Sequence, residues 1–205
     1  MKIYKMFKKI VFLGFVFCVF YFVNAQNEGY HKIAKAERLL KSNRKLDKAI
    51  DLLDDAKDDD YGFCGNAYAS VNWKINFLLA QVYSQNKQYS IALENIDNIK
   101  NCNFGGDCYK SDSLKLKILV DLYGLDNLKN ELKRTKNSKN FVNIKNDSVS
   151  KKCLNLEKFN YQYCFGLNDR RRYFIEGKEF VVNPEHPLDF LIETKYFKEL
   201  IGKLD

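Results

Sequence analysis

Six cysteines and two histidines are the side chains in this chain best suited to nucleophilic, redox or metal chemistry. Cys18 falls in an apolar N-terminal run, which leaves Cys64, Cys102, Cys108, Cys153 and Cys164 for the folded part. A thiol hydrolase needs a cysteine within reach of an imidazole base. The best pair by position is Cys164 with His186, but Tyr161-Gln162-Tyr163-Cys164-Phe165-Gly166 carries no nucleophile signature. No Cys-x-x-Cys pair occurs, and His31 and His186 lie far apart, so a structural zinc site is not expected. There is no Gly-x-Ser-x-Gly elbow, phosphate-binding glycine loop or dinucleotide fingerprint. The reading is therefore of a non-enzyme with no cofactor and no metal.

Two charge clusters remain. Asp54-Asp55-Ala56-Lys57-Asp58-Asp59-Asp60 is the densest acidic run. Its spacing does not match a calcium-binding loop, because no glutamate closes it. A solvated helix end is the plainer reading, although carboxylates there face the negative end of the helix dipole. Asp169-Arg170-Arg171-Arg172 is the one concentrated basic cluster. It is suited to phosphate or an acidic partner, or to nothing beyond a hydrated turn.

The elements that position these groups begin after an N-terminal address. Lys2, Lys5, Lys8 and Lys9 precede an apolar run from Ile10 to Val23, and Val23-Asn24-Ala25 supplies small residues for cleavage. Residues 1–25 read as a signal peptide cut before Gln26. Export makes disulfides the natural use of the cysteines. It also lowers the basic count from 34 to 30 against 26 acidic residues, so the net charge falls from +8 to +4. With no basic stripe interleaved with aromatics, a nucleic-acid partner is not expected.

From Gly29 to about Lys136 the apolar residues recur on a helical period, interrupted by short polar turns. Three hairpins are predicted: Tyr30–Lys41 with Leu46–Lys57, a second from Asn66 to Asn101, and Ser111–Tyr123 with Asn127–Lys136. Leu46, Ala49, Leu53 and Ala56 recur at the same offsets as Tyr89, Ala92, Ile96 and Ile99. Small residues at such positions let two helices approach closely. Residues 137–152 are rich in Asn, Lys and Ser and read as a linker. Beyond Cys153, Arg171–Ile175 and Glu179–Val182 suggest a β-hairpin around Gly177, followed by an amphipathic helix from Leu188 to Leu204.

The segment Leu79-Ala80-Gln81-Val82-Tyr83, then Gln88-Tyr89, Ala92, Ile96 and Ile99, resembles a tetratricopeptide repeat. That 34-residue unit carries small residues at positions eight and twenty and an aromatic at eleven. Ala80, Tyr83 and Ala92 fit that register. Asn76 stands where the family has tryptophan, and Phe104 where it has proline. The fold expected is a mostly α solenoid of about three such hairpins (26–136) with a small α+β C-terminal tail (153–205). The resemblance implies a non-catalytic scaffold holding a peptide or partner protein in a groove lined by the first helix of each pair. Asn72, Asn76, Lys115 and Lys117 are its polar candidates. A structural envelope component binding through the tail is a rival. A small secreted hydrolase or inhibitor using Cys153–Asp205 is an alternative of another class.

Antiparallel hairpin geometry brings Cys64 and Cys102 to one side of the second hairpin, so a Cys64–Cys102 bond is sensible. Cys102–Cys108 is the local rival, and Cys153–Cys164 is the pairing expected in the tail. Five is odd, so one thiol stays free or pairs between chains.

Overall fold

In a computed structural model of the chain, the residues described are 28–62, 64–99, 102, 105–138, 141–146, 149–166, 171–175, 178–182 and 189–202. The expected signal peptide lies outside them.

The chain is mostly helical with a small α+β C-terminal part. Helix α1 spans 28–41. It is followed by α2 (Leu46–Lys57), α3 (Gly65–Gln85), α4 (Tyr89–Asp97), α5 (Cys108–Tyr123) and α6 (Leu125–Ser138). The helices fall where the periodicity predicts them, and the turns reverse the chain through left-handed residues at Asn43, Lys45 and Lys87. Asp107 accepts a hydrogen bond from the Lys110 amide at 2.9 Å and so caps α5. Gly124, at φ 86°, separates α5 from α6 with no intervening loop.

Each helix packs on the next. Helix α3 is apolar on two faces and lies in two cores at once. One face sends Val71, Ile75, Leu78, Leu79 and Val82 against Ile33, Ala36 and Leu40 of α1 and Ala49, Leu53 and Ala56 of α2. The other places Phe77 and Ala80 with Ala92, Leu93 and Ile96 of α4 and with Leu114, Leu116 and Leu119 of α5. Ala49, Ala56, Ala80 and Ala92 are all fully buried. Burial of the smallest side chains is what lets these backbones come close.

The tail holds two antiparallel sheets: β1 (Phe141–Asn146), β2 (Val149–Leu156) and β3 (Tyr161–Gly166) in that order, and β4 (Arg171–Ile175) with β5 (Lys178–Val182). The second is the hairpin expected from the sequence. The stretch 137–152 is not a linker: α6 runs on to Ser138, and β1 pairs Phe141 with Leu154 and Val142 with Cys153. Antiparallel pairing with the next strand, β2, overrode a composition that reads as loop. The single final helix is also corrected, into α7 (Asp189–Ile192) and α8 (Lys195–Leu200). Extended Thr194 divides them, its hydroxyl donating to the Leu191 carbonyl and accepting from the Phe197 amide.

Candidate functional site

Helix α3 is linked to α1 on one side and to α5 on the other. Lys74 of α3 pairs with Glu37 of α1 at 3.0 Å. Trp73 Nε1 donates to Ser111 Oγ at 2.8 Å, and Lys117 Nζ donates to Ser84 Oγ at 3.3 Å, both linking α3 to α5. Residue numbers rise together in the two α3–α5 pairs, so those helices run in the same direction. Along this row opens a cleft of ≈ 630 Å³. Leu40, Trp73, Phe77 and Leu78 give it an apolar wall, Lys41, Lys74 and Glu37 an ionic rim, and Gln81 and Gln85 a pair of amides. Tyr196 of α8 and Lys110 of α5 also line it.

The cleft combines stacked rings, paired amides and an ionic rim. Trp73 and Phe77 are stacked, with centroids 5.1 Å apart. Gln81 and Gln85 each offer donors and an acceptor, the pattern that a peptide backbone needs. The hydrogen bond from Lys74 holds the Glu37 carboxyl below its usual range, so it stays charged. Burial pushes the Tyr196 phenol up to about 12, helped by Asp107 and Tyr109, so it remains a neutral donor.

The four residues expected in the groove are not brought together. Asn76 lies one turn before Ala80 on the same helix face, which turns it toward the paired helix. Its Nδ2 donates to the Asn72 carbonyl and side chain at 2.9 and 2.7 Å. Both asparagines line a different cleft of ≈ 600 Å³, beside Lys57, Tyr61, Tyr68 and Asn98. Lys115 and Lys117 stand about 200° apart around their helix and so face different neighbours. Lys115 is buried, paired with Asp97 at 2.6 Å and 4.4 Å above the Tyr163 ring. Lys117 is bound to Asp121 and Ser84. Lys74, Phe77, Gln81 and Gln85 were legible instead as the stripe of α3 at steps of three and four residues that runs beside Ala80.

A closed polar network ties the tail to α5. Asp112, 1% exposed, accepts from the Tyr163 hydroxyl at 2.5 Å and from the Tyr173 hydroxyl at 2.6 Å. Tyr161 donates to Asp97 at 2.9 Å, the carboxylate that also holds Lys115. Glu131 of α6 is buried, receives Arg134 at 2.8 Å and accepts the Lys158 amide at 3.2 Å. All three carboxylates are occupied by structural partners, and Asp112 and Glu131 are also buried.

The other sequence candidates fall as follows. Cys64 is free and exposed, so the Cys64–Cys102 bond is not formed; Cys102 is bonded to Cys108, with Cα atoms 4.9 Å apart. Helix α3 has 21 residues and α4 only 9, which staggers the open ends of that hairpin, whereas the short link before α5 brings Cys102 and Cys108 together. Cys153 is disulfide-bonded, and Cys164 is its Cα partner across the β2–β3 ladder. In the acidic run, Asp54 pairs with Lys57, Asp59 with Lys32 of α1, and Asp60 accepts from the Gly62 amide and the Tyr68 hydroxyl. Those last two bonds hold the Asp60 carboxyl below its usual range. Arg171 and Arg172 begin β4, whereas Asp169, Arg170 and His186 lie outside the described residues. Among the described residues, no group of three or more His, Cys, Asp or Glu could hold a metal ion. No described helix is long and apolar enough to cross a membrane.

Compared with known proteins, the chain matches no protein-family model, no curated protein sequence and no solved structure.

Proposed function

We propose that this chain is an exported, non-catalytic scaffold of the cell envelope, built of tetratricopeptide-like hairpins and binding a peptide or partner protein along α1, α3 and α5. The observation that carries this reading is the one mixed cleft lined by α1, α3 and α5. There a stacked indole and phenyl ring (Trp73, Phe77) lie beside Gln81 and Gln85. An extended segment of a partner would place an apolar side chain on the rings and its backbone on the amides. The Cys102–Cys108 bond fits an oxidising compartment, the destination that a signal peptide over residues 1–25 would give. Catalysis has less support, because the buried carboxylates Asp112 and Glu131 are committed to tyrosines and an arginine of the fold.

The test is affinity capture from the native envelope with paired variants. Gln81→Arg with Gln85→Arg should abolish capture of the partner retained by the wild type. Asn72→Arg, in the other cleft, should leave it intact. Loss on Asn72→Arg with retention in the glutamine variant would move the binding surface to the opposite face of α3.

A further inference from the structure

Trp73 is the one tryptophan of the chain and lines both clefts, so its position shapes each of them. Its seat is built almost wholly by the link that precedes α5. The indole Nε1 donates to Ser111 Oγ at 2.8 Å, and Ser111 Oγ in turn donates to the Asp107 carbonyl at 2.9 Å. On the other side, Ser70 Oγ donates to the Gly105 carbonyl at 2.9 Å, one turn before Trp73 on α3. Gly106 lies so close that a β-carbon there would stand 2.7 Å from the indole ring. Every one of these groups lies within or next to the segment that the Cys102–Cys108 bond closes, and both cysteines are buried.

We propose that oxidation of Cys102 and Cys108 is what seats Trp73, so that both clefts take their binding shape only after the disulfide forms. In the reaction two thiols become one disulfide. One thiolate attacks a disulfide oxidant, the second cysteine resolves the mixed disulfide, and the oxidant accepts two electrons and two protons and leaves as a dithiol. A reduced chain keeps α3 and α5, which are held by their own cores. It loses the fixed position of Gly105 and Gly106, and with them the wall against which the indole rests. The consequence for partner binding rests on the groove reading above; the seating of Trp73 does not.

The experiment reads the fluorescence of Trp73 in the full folded chain, with no partner present. Cys102→Ala with Cys108→Ala should shift the emission to the red and raise quenching by acrylamide, with the far-ultraviolet helical signal kept. Gly106→Ala, disulfide intact, should do the same by pushing the ring out. Cys153→Ala, which removes the bond in the tail, should leave the emission of Trp73 unchanged. If the double variant loses its helical signal, the folded wild-type chain treated with dithiothreitol, with Cys153→Ala as the control for the tail bond, decides the matter. Wild-type emission and quenching in the folded double variant or in the reduced folded wild type would overturn the proposal, as would a shift of equal size in Cys153→Ala.

Discussion

The helical hairpins and the tail are held together by opposite means. Between α2, α3 and α4 the contact is made by removal of bulk: Ala49, Ala80 and Ala92 are fully buried, and the helices meet across them. Between α5 and the strands it is made by polar complementarity, with one carboxylate, Asp112, taking a hydroxyl from Tyr163 on β3 and another from Tyr173 on β4. An alanine seam tolerates a range of partners at that spacing. A buried carboxylate with two hydroxyl donors accepts one arrangement, since each group left unpaired costs its full desolvation. The tail is therefore a specified part of the helical core.

The contrast is sharpest at Asp112. Replacing it with Ala removes the acceptor of two buried hydroxyls, at roughly 1–3 kcal/mol each, so a loss of about 2–6 kcal/mol is expected in urea unfolding. The Tyr163→Phe, Asp112→Ala double variant should then recover part of that loss, because one stranded hydroxyl is gone. At the seam, Ala92→Leu forces three extra heavy atoms into a closed crossing and should cost about 1–3 kcal/mol. An Ala92→Leu variant as stable as the wild type would mean that the crossing is loose.

Acid separates the two regions further. Arg134 holds the Glu131 carboxyl below its ordinary value of 4.5, with help from the Lys158 amide. A carboxyl depressed in the folded state contributes stability that is complete above its unfolded value and is lost as pH falls through the folded one. Stability should therefore drop from about pH 4.5 downward. Glu131→Gln should flatten that drop, measured as the urea midpoint between neutral pH and about pH 3. The smallest effect is expected at the cap of α5, where Asp107→Ala should cost about 1 kcal/mol. Asp107→Asn should keep most of that stability, since an amide oxygen caps nearly as well.

What was legible in the sequence follows the same division. Helix positions, the turns and the buried alanines follow from apolar spacing along one element, and each element carries its own signal. The hairpin Arg171–Ile175 with Lys178–Val182 was visible for the same reason, through its turn and its β-formers. Strand β1 was hidden, because Phe141–Asn146 becomes a strand only by pairing with Val149–Leu154, and its asparagines and lysines read as loop. Lys115 looked like a groove cation, since nothing local announces that Asp97 and the Tyr163 ring enclose it. Asn76 was misplaced by a quarter turn: it shares the face of Ala80, while Phe77 and Gln81 face the cleft.

The direct test of the groove is a photo-crosslinking side chain placed at Gln81 in one variant and at Asn98 in another, illuminated in cells that export the chain. The account predicts a discrete adduct with a partner protein from position 81 and none from position 98. Adducts from 98 alone, or none from 81 while the partner still co-purifies, would contradict it.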